Sequence, residues 1–285
     1  MSGKTPSPLR YPGGKIKIYN YVLNIIEKNN INNPIYVEPF AGGCSLALEL
    51  LYNNKVKSII INDLDYAIYS FWYSILNDID NLINLIINTE LTIEEWYRQK
   101  EIYLNQSKYT KLEIAFATLF LNRTNRSGII TAGPIGGKNQ DGNYKIDCRF
   151  NKDTIIEKLL KINSYKKKIK LYNLDAEQLL LKIYKSKKEN YFVYLDPPYF
   201  VKGPCLYKNC FDEDKHISLY SSIDKYLANI NCIISYDSCD EIKNIYSKYK
   251  QVDFSLNYSA GTNKTGNEIM IFNNMLTAIE YNIKK

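Results

Sequence analysis

The chain has 285 residues, 45% of them apolar, which suits one large domain or a domain carrying a sizeable insertion. A formal charge of +7 and a pI near 8.8 point mildly toward a polyanionic partner, while the skew to Ile, Asn, Lys and 26 tyrosines reads as nucleotide bias in the coding sequence. Six cysteines without a C-x-x-C pair and a single histidine, His216, argue against a zinc site and against a Ser-His or Cys-His nucleophile. No apolar run has the length of a membrane span, and "MSGKTPSPLR" lacks a signal-peptide core, so free thiols in a reducing cytoplasm are expected.

In chain order, "PIYVEPFAGGCSLALELL" reads as a short strand, a glycine turn and an amphipathic helix, and "VKSIIINDLD" as a second buried strand ending in acid. That is the start of a β-α-β unit. The stretch from Ala67 to Leu121 is helical in pattern: "AIYSFWYSILNDIDNLINLII", then "TIEEWYRQKEIYL" with Thr92 as a cap and Glu95 three residues on, then "LEIAFATLFL". "NRTNRSGIITAGPIGGKNQDGNYKIDCRF" follows as an irregular loop or β-hairpin, the place for a functional excursion. Strand and helix then alternate through "IKLYNLDAEQLLLKIY", "YFVYLDPPY", "NCIISYDS", "EIKNIYSKY", "QVDFSLNYSA" and "NEIMIFNN". The expected fold is α/β: a doubly wound, mostly parallel Rossmann-like sheet from residues 1–66 and 151–285, with 67–150 inserted as a mainly helical lobe plus hairpin.

Three places carry chemistry. In "YVEPFAGGC" a strand runs into Gly42 and Gly43, where backbone can approach a ligand, and Asp63 ends the next strand, either as a helix cap or as an acceptor for two ribose hydroxyls. The turn lacks the full G-x-G-x-x-G cradle, so a nucleoside fits better than a dinucleotide. In "NYFVYLDPPYF" a buried strand drives Asp196 into Pro197 and Pro198, which hold the chain in one shape. Asp196 and the carbonyl of Pro197 could each accept one hydrogen of an exocyclic aromatic amine and aim its lone pair at an electrophile, while Tyr199 offers a stacking face worth roughly 1–3 kcal/mol.

With "PLRYPGGK", "VEPFAGG", "IINDLD" and "DPPY" in that order, the chain resembles the Dam-like (D12 class) adenine-specific DNA methyltransferases in their alpha motif arrangement. "LYKNCF", "IISYDS" and "GNEIMIFN" resemble its later segments. The resemblance implies methyl transfer from S-adenosylmethionine to the 6-amino group of an adenine flipped from double-stranded DNA. It implies that Tyr11, Gly13, Gly14 and Lys15 sit beside the cofactor's methionine part, Glu38, Phe40, Ala41 and Gly42 form its turn, Asp63 meets its ribose and Asp175 borders its adenine. Asp196, Pro197, Pro198 and Tyr199 would hold the target base; Arg123, Asn125, Arg126 and Lys138 are the candidate DNA contacts, some of which could instead brace their loop. Where the family pattern has glycine, this chain has Cys44.

The expected enzyme is a cytoplasmic monomer needing no metal, with a cognate restriction endonuclease as a further possible partner. Amine or amide methylation on RNA or protein is the enzymatic alternative, although such families more often begin the tetrad with Asn; a catalytically dead DNA-binding relative is the other. Cys205 in "GPC" is not expected to be a nucleophile, and "YKKKIK" reads as a solvated face.

Overall fold

The computed structural model describes residues 5–10, 14–186, 190–200, 211–258 and 264–281. The chain forms two compact units, Met1–Gly14 with Asp65–Leu171 and Lys15–Leu64 with Tyr172–Lys285. Among the described residues no helix is long and apolar enough to cross a membrane.

A seven-stranded sheet has the order β3-β2-β1-β4-β5-β7-β6. The strands are β1 (Ile35–Glu38), β2 (Ser58–Asn62), β3 (Ile169–Tyr172), β4 (Tyr191–Leu195), β5 (Asn231–Asp237), β6 (Lys250–Tyr258) and β7 (Lys264–Phe272). β2, β1, β4 and β5 run parallel, and the antiparallel β7–β6 pair closes one edge, so the expected α/β, mostly parallel architecture is present. Alternation with period two decides what faces what. Ile35, Val37, Val193, Leu195, Cys232, Ile234, Ile269 and Ile271 share one buried face, packed with Leu179 and Leu180 of α8 (Ala176–Lys185) and Leu219 and Ile223 of α9 (Glu213–Tyr226). The opposite parity carries Tyr36, Glu38, Tyr194, Ser235, Asp237, Glu268 and, just past β4, Asp196. The apolar face fixes the register, and that register gathers the polar groups on the other face.

The other unit is helical: α3 (Tyr66–Asn77), α4 (Ile79–Asn88), α5 (Ile93–Leu104), α6 (Lys111–Thr124) and α7 (Lys152–Ser164). α6 is buried from Ile114 through Asn122 and packs against α3, α4 and α5, with a capping box between Thr110 and Glu113 at its start. Thr92 caps α5 by accepting from Glu95 N–H at 3.1 Å, as its sequence predicts. The apolar run after Ala67 makes two helices rather than one, because Asp78 leaves helical angles (φ −144°) and its carboxylate accepts from Asn81 Nδ2 at 2.8 Å. α7 and α1 (Tyr19–Lys28) are further helices that the pattern reading did not mark.

The 122–149 segment takes its irregular-loop form, with one isolated antiparallel bridge, Asn125 to Pro134, in place of hairpin strands. Side-chain amides do the work of a ladder. Asn125 Nδ2 donates to the carbonyls of Ile129 and Ile130, and Gln140 Nε2 donates to those of Ile135 and Gly137 while its Oε1 accepts from Ile146 N–H. Gly128, at φ +74°, lies so close to Arg10 that an added Cβ would meet its carbonyl oxygen at 2.0 Å.

Cys44 reaches the left-handed conformation that its glycine-favouring position demands, with φ 53° and ψ 25°, directly before α2 (Ser45–Tyr52). Its N–H donates to Ala41 O at 2.7 Å, closing the turn. Cys44→Gly relieves the backbone but empties a buried thiol site, so its unfolding free energy should stay within about 1 kcal/mol of wild type. Cys44→Val adds a methyl group to a buried site and sets a β-branched residue at positive φ, and should cost about 2 kcal/mol or more in urea unfolding. A valine variant as stable as wild type would contradict this account of the turn.

Candidate active site

β4 delivers Asp196 to the carboxyl edge of the sheet. Its Oδ1 accepts from Ser235 Oγ at 2.8 Å and from Lys15 Nζ at 3.1 Å. Lys15, only 7% exposed, also donates to Tyr199 OH at 2.7 Å, rides 4.9 Å from the Tyr199 ring centroid and lies 3.9 Å from Glu268 Oε2. Glu268 is fully buried, whereas Asp196 keeps 23% of its side chain accessible. The ammonium is thus shared by Asp196 and Glu268, and removing one member would leave buried charge behind. Asp237, opposite Glu268 on the neighbouring strand, accepts from Phe200 N–H at 3.1 Å and pins the chain where it leaves the tetrad. Burial first, and then the negative charge of Asp196, pushes the Tyr199 phenol well above its ordinary value.

The lone histidine serves the core. His216 is fully buried between the rings of Phe200, Phe211 and Tyr236, and its Nδ1 shares a 2.9 Å hydrogen bond with Tyr236 OH. Among the described residues no group of three or more His, Cys, Asp or Glu side chains is placed to hold a metal ion. Tyr11, Gly13 and Cys205 lie outside the described residues, whereas Gly14 opens the second stretch.

The glycine turn and its acids come together. Gly42 sits at φ +44°, and its N–H donates to Asp63 Oδ2 at 2.8 Å, which joins the β1 turn to the end of β2. The cap of α3 is Asp65, which accepts from Ala67 N–H, so Asp63 does not serve as that cap. Asp175 is exposed and caps α8, accepting from Glu177 N–H at 2.8 Å. Asn62, which the sequence reading passed over, is buried and stitches the loops: its Nδ2 donates to Pro39 O and Leu174 O, and its Oδ1 accepts from Leu174 N–H. The signal for it was a polar residue inside an otherwise apolar strand. Phe40 is half-buried and meets Phe211 edge to face at 5.9 Å, and Ala41 is buried.

Glu38 ends β1 fully inside the protein, its Oε1 accepting from Tyr36 OH at 3.0 Å and from Ala47 N–H at 3.2 Å. Burial pushes its carboxyl up to about 8; those two hydrogen bonds oppose the rise and the Asp196 charge adds to it.

In the helical unit the four expected DNA contacts divide. Arg126 and Lys138 are exposed, Lys138 lying 5.9 Å from the Tyr97 ring. Asn125 braces its loop: it is buried, and its amide is engaged by Ile129 O, Ile130 O and the indole N–H of Trp96 at 2.6 Å. Arg123 is half-buried and donates weakly to Pro8 O at 3.4 Å. Burial, with the positive charges of Arg10 and Arg149 adding to it, lowers its guanidinium to about 10. Arg10 is lowered for the same reasons, burial first and then Arg149. The positive charges of Arg10 and Arg149 thus bear on Arg123, and among the described residues no carboxylate pairs with any of the three. Arg10 and Arg149 were not singled out from sequence, because their proximity exists only in the fold.

The native state keeps the Glu38 proton up to about pH 8 while the unfolded chain loses it near its ordinary value of 4.5, so in that window the native state binds more protons and stability falls as pH rises. Glu38→Gln cannot titrate. The stability of wild type relative to that variant should decline between about pH 5 and pH 8 in urea titrations. A difference that does not change with pH would contradict the neutral carboxyl.

A family model described as D12 class N6 adenine-specific DNA methyltransferase matches residues 11–259. The chain is similar to the type II methyltransferase M.MjaIII of Methanocaldococcus jannaschii, 26% identical over 80% of this chain and 84% of that one. It is also similar to the type II methyltransferase M1.LlaDCHI of Lactococcus lactis subsp. cremoris, 27% identical over 67% of this chain and 64% of that one. Among solved structures, the rRNA methyltransferase aviRa of Streptomyces viridochromogenes covers 92% of this chain and 86% of its own at 12% identity and a TM-score of 0.40, too loose a likeness to bear on function. The family match spans most of the chain and includes the Asp196 tetrad and the glycine turn, and the chain belongs to the D12 class N6 adenine-specific DNA methyltransferases.

Proposed function

We propose that this adenine DNA methyltransferase acts on an adenine flipped from duplex DNA at one short sequence, with Asp196, Pro197, Pro198 and Tyr199 holding the base and S-adenosylmethionine as donor. The observation that carries the reading is Asp196, fixed through Oδ1 by Ser235 and Lys15 at the end of a central parallel strand and still partly open to a ligand. A stacked and paired adenine cannot offer its amine to such an acceptor, so the base must leave the helix.

The residues at the sheet edge suit a nucleoside cofactor. Asp63 is anchored on the Gly42 N–H at a turn where backbone can come close, Asp175 stands on the β3–α8 connection, Glu38, Phe40 and Ala41 end β1 and begin that turn, and Lys15 bonds the tetrad. Gly14, with Tyr11 and Gly13 beside it in sequence, completes the proposed set. When bound, S-adenosylmethionine supplies a methyl carbon on sulfur whose carbon–sulfur electron pair stays with sulfur as the new nitrogen–carbon bond forms. The chain's part is to position. Asp196 and the Pro197 carbonyl accept the two amine hydrogens and direct the nitrogen lone pair; the surplus proton leaves the amine along the Asp196 hydrogen bond.

Target recognition belongs in this proposal to residues 67–150, with 1–66 and 151–285 as the catalytic domain. The Arg10, Arg123 and Arg149 cluster, together with exposed Arg126 and Lys138, supports phosphate contact, because anionic oxygens relieve the mutual repulsion of the guanidiniums. A cytoplasmic monomer is the simplest assembly for this task, and the type II relatives suggest a restriction endonuclease of the same system.

Asp196→Ala should reduce labelled methyl transfer by about 1,000-fold or more while cofactor affinity stays within about 3-fold. Substantial transfer by that variant would refute the assignment of the tetrad. Arg149→Ala should lower the slope of log affinity for duplex DNA against log salt by about 1, across sequences alike. An unchanged slope would remove Arg149 from the phosphate contacts.

A further inference from the structure

The wiring of Asp196 goes further than the tetrad. Ser235 Oγ donates to Asp196 Oδ1 at 2.8 Å, and the same Ser235 Oγ lies 2.7 Å from Tyr194 OH. A serine hydroxyl has one hydrogen, and here it is committed to the carboxylate, so Tyr194 must be the donor in its contact with Ser235. The chain of donation is therefore fixed in direction: Tyr194 to Ser235 to Asp196. Both hydroxyl residues are buried, on adjacent parallel strands and on the polar face of the sheet.

Oδ1 of Asp196 also accepts from Lys15, so two donors occupy its two lone-pair directions. Among the described residues no donor is directed at Oδ2. Resting on the reading above, we propose that Ser235 is a positioning residue for methyl transfer, itself set by Tyr194: by occupying Oδ1 it orients the carboxylate so that Oδ2 faces the target amine. Lys15 alone is a weaker guide, because an ammonium is a point charge that follows either oxygen as the carboxylate turns, whereas Ser235 projects from a rigid central strand. Burial makes the relay effective, since no water competes for these hydroxyls.

The test is methyl transfer to unmethylated genomic duplex DNA at saturating S-adenosylmethionine, with cofactor affinity measured separately by equilibrium binding, for wild type, Ser235→Ala, Ser235→Thr, Tyr194→Phe and the Ser235→Ala/Tyr194→Phe double variant. Ser235→Ala should lower kcat by about 10- to 100-fold with cofactor affinity and KM for DNA within about 3-fold, and Ser235→Thr, which restores the hydroxyl, should recover most of the rate. Tyr194→Phe should cost about 3- to 10-fold alone and almost nothing further in the Ser235→Ala background, the coupling expected if it acts through Ser235. Tyr194→Phe removes one oxygen and nothing else, so it remains informative if threonine fails to fit. Ser235→Ala at the wild-type rate, or full multiplication of the two single effects, would overturn the relay. If Ser235→Ala is silent while Asp196→Ala is inactive, only this inference falls; if Asp196→Ala is itself active, the underlying reading falls with it.

Discussion

One ammonium among carboxylates organises the sheet edge that carries Asp196. Lys15 bonds Asp196 and neighbours Glu268, with Asp237 paired across the strand from Glu268, and without that charge the acids would repel one another in a medium where water cannot screen them. Glu38 shows the other solution to the same problem: with no cation paired to it among the described residues, burial favours its protonated form. The arrangement depends on the sheet beneath it. Only a fixed register sends Tyr194, Ser235, Asp237 and Glu268 to one face while the alternate residues bury against α8 and α9.

The glycine turn, proposed above to hold the cofactor, is built by a different device. Backbone and amide hydrogen bonds tie three strand ends together: Gly42 N–H to Asp63, Ala41 N–H to Asn62 O, and the Asn62 side chain to Pro39 and Leu174. Each loop can thereby hold an acid or a close-approaching backbone without a regular element of its own. Cys44 adopts a left-handed backbone to close the same turn, a conformation that glycine reaches at lower cost.

Sequence pattern made the alternation of strands and helices, and with it the mostly parallel sheet, legible because buried parallel strands are apolar runs and their ends are marked by acids, glycines and prolines; the strand order was not. The tetrad and the turn were visible for the same reason. Contacts between distant positions were not: Lys15 to Asp196, Ser235 to Asp196 and the three arginines are joined only by folding, and their residue types are unremarkable in isolation. The break at Asp78 escaped because its apolar periodicity continues across it, and the loop after α6 admitted a hairpin because Asn125 and Gln140, ordinary polar letters in sequence, supply the hydrogen bonds that strands would otherwise make.

The central claim is that Asp196 holds an exocyclic amine for direct methylation. The most direct test is to treat unmethylated genomic duplex DNA with the enzyme and methyl-labelled S-adenosylmethionine, digest it to nucleosides and identify the labelled one. The account predicts label in N6-methyladenine, confined to one short sequence. Label in a ring-carbon product such as 5-methylcytosine, which requires a covalent nucleophile that Asp196 cannot provide, would contradict it.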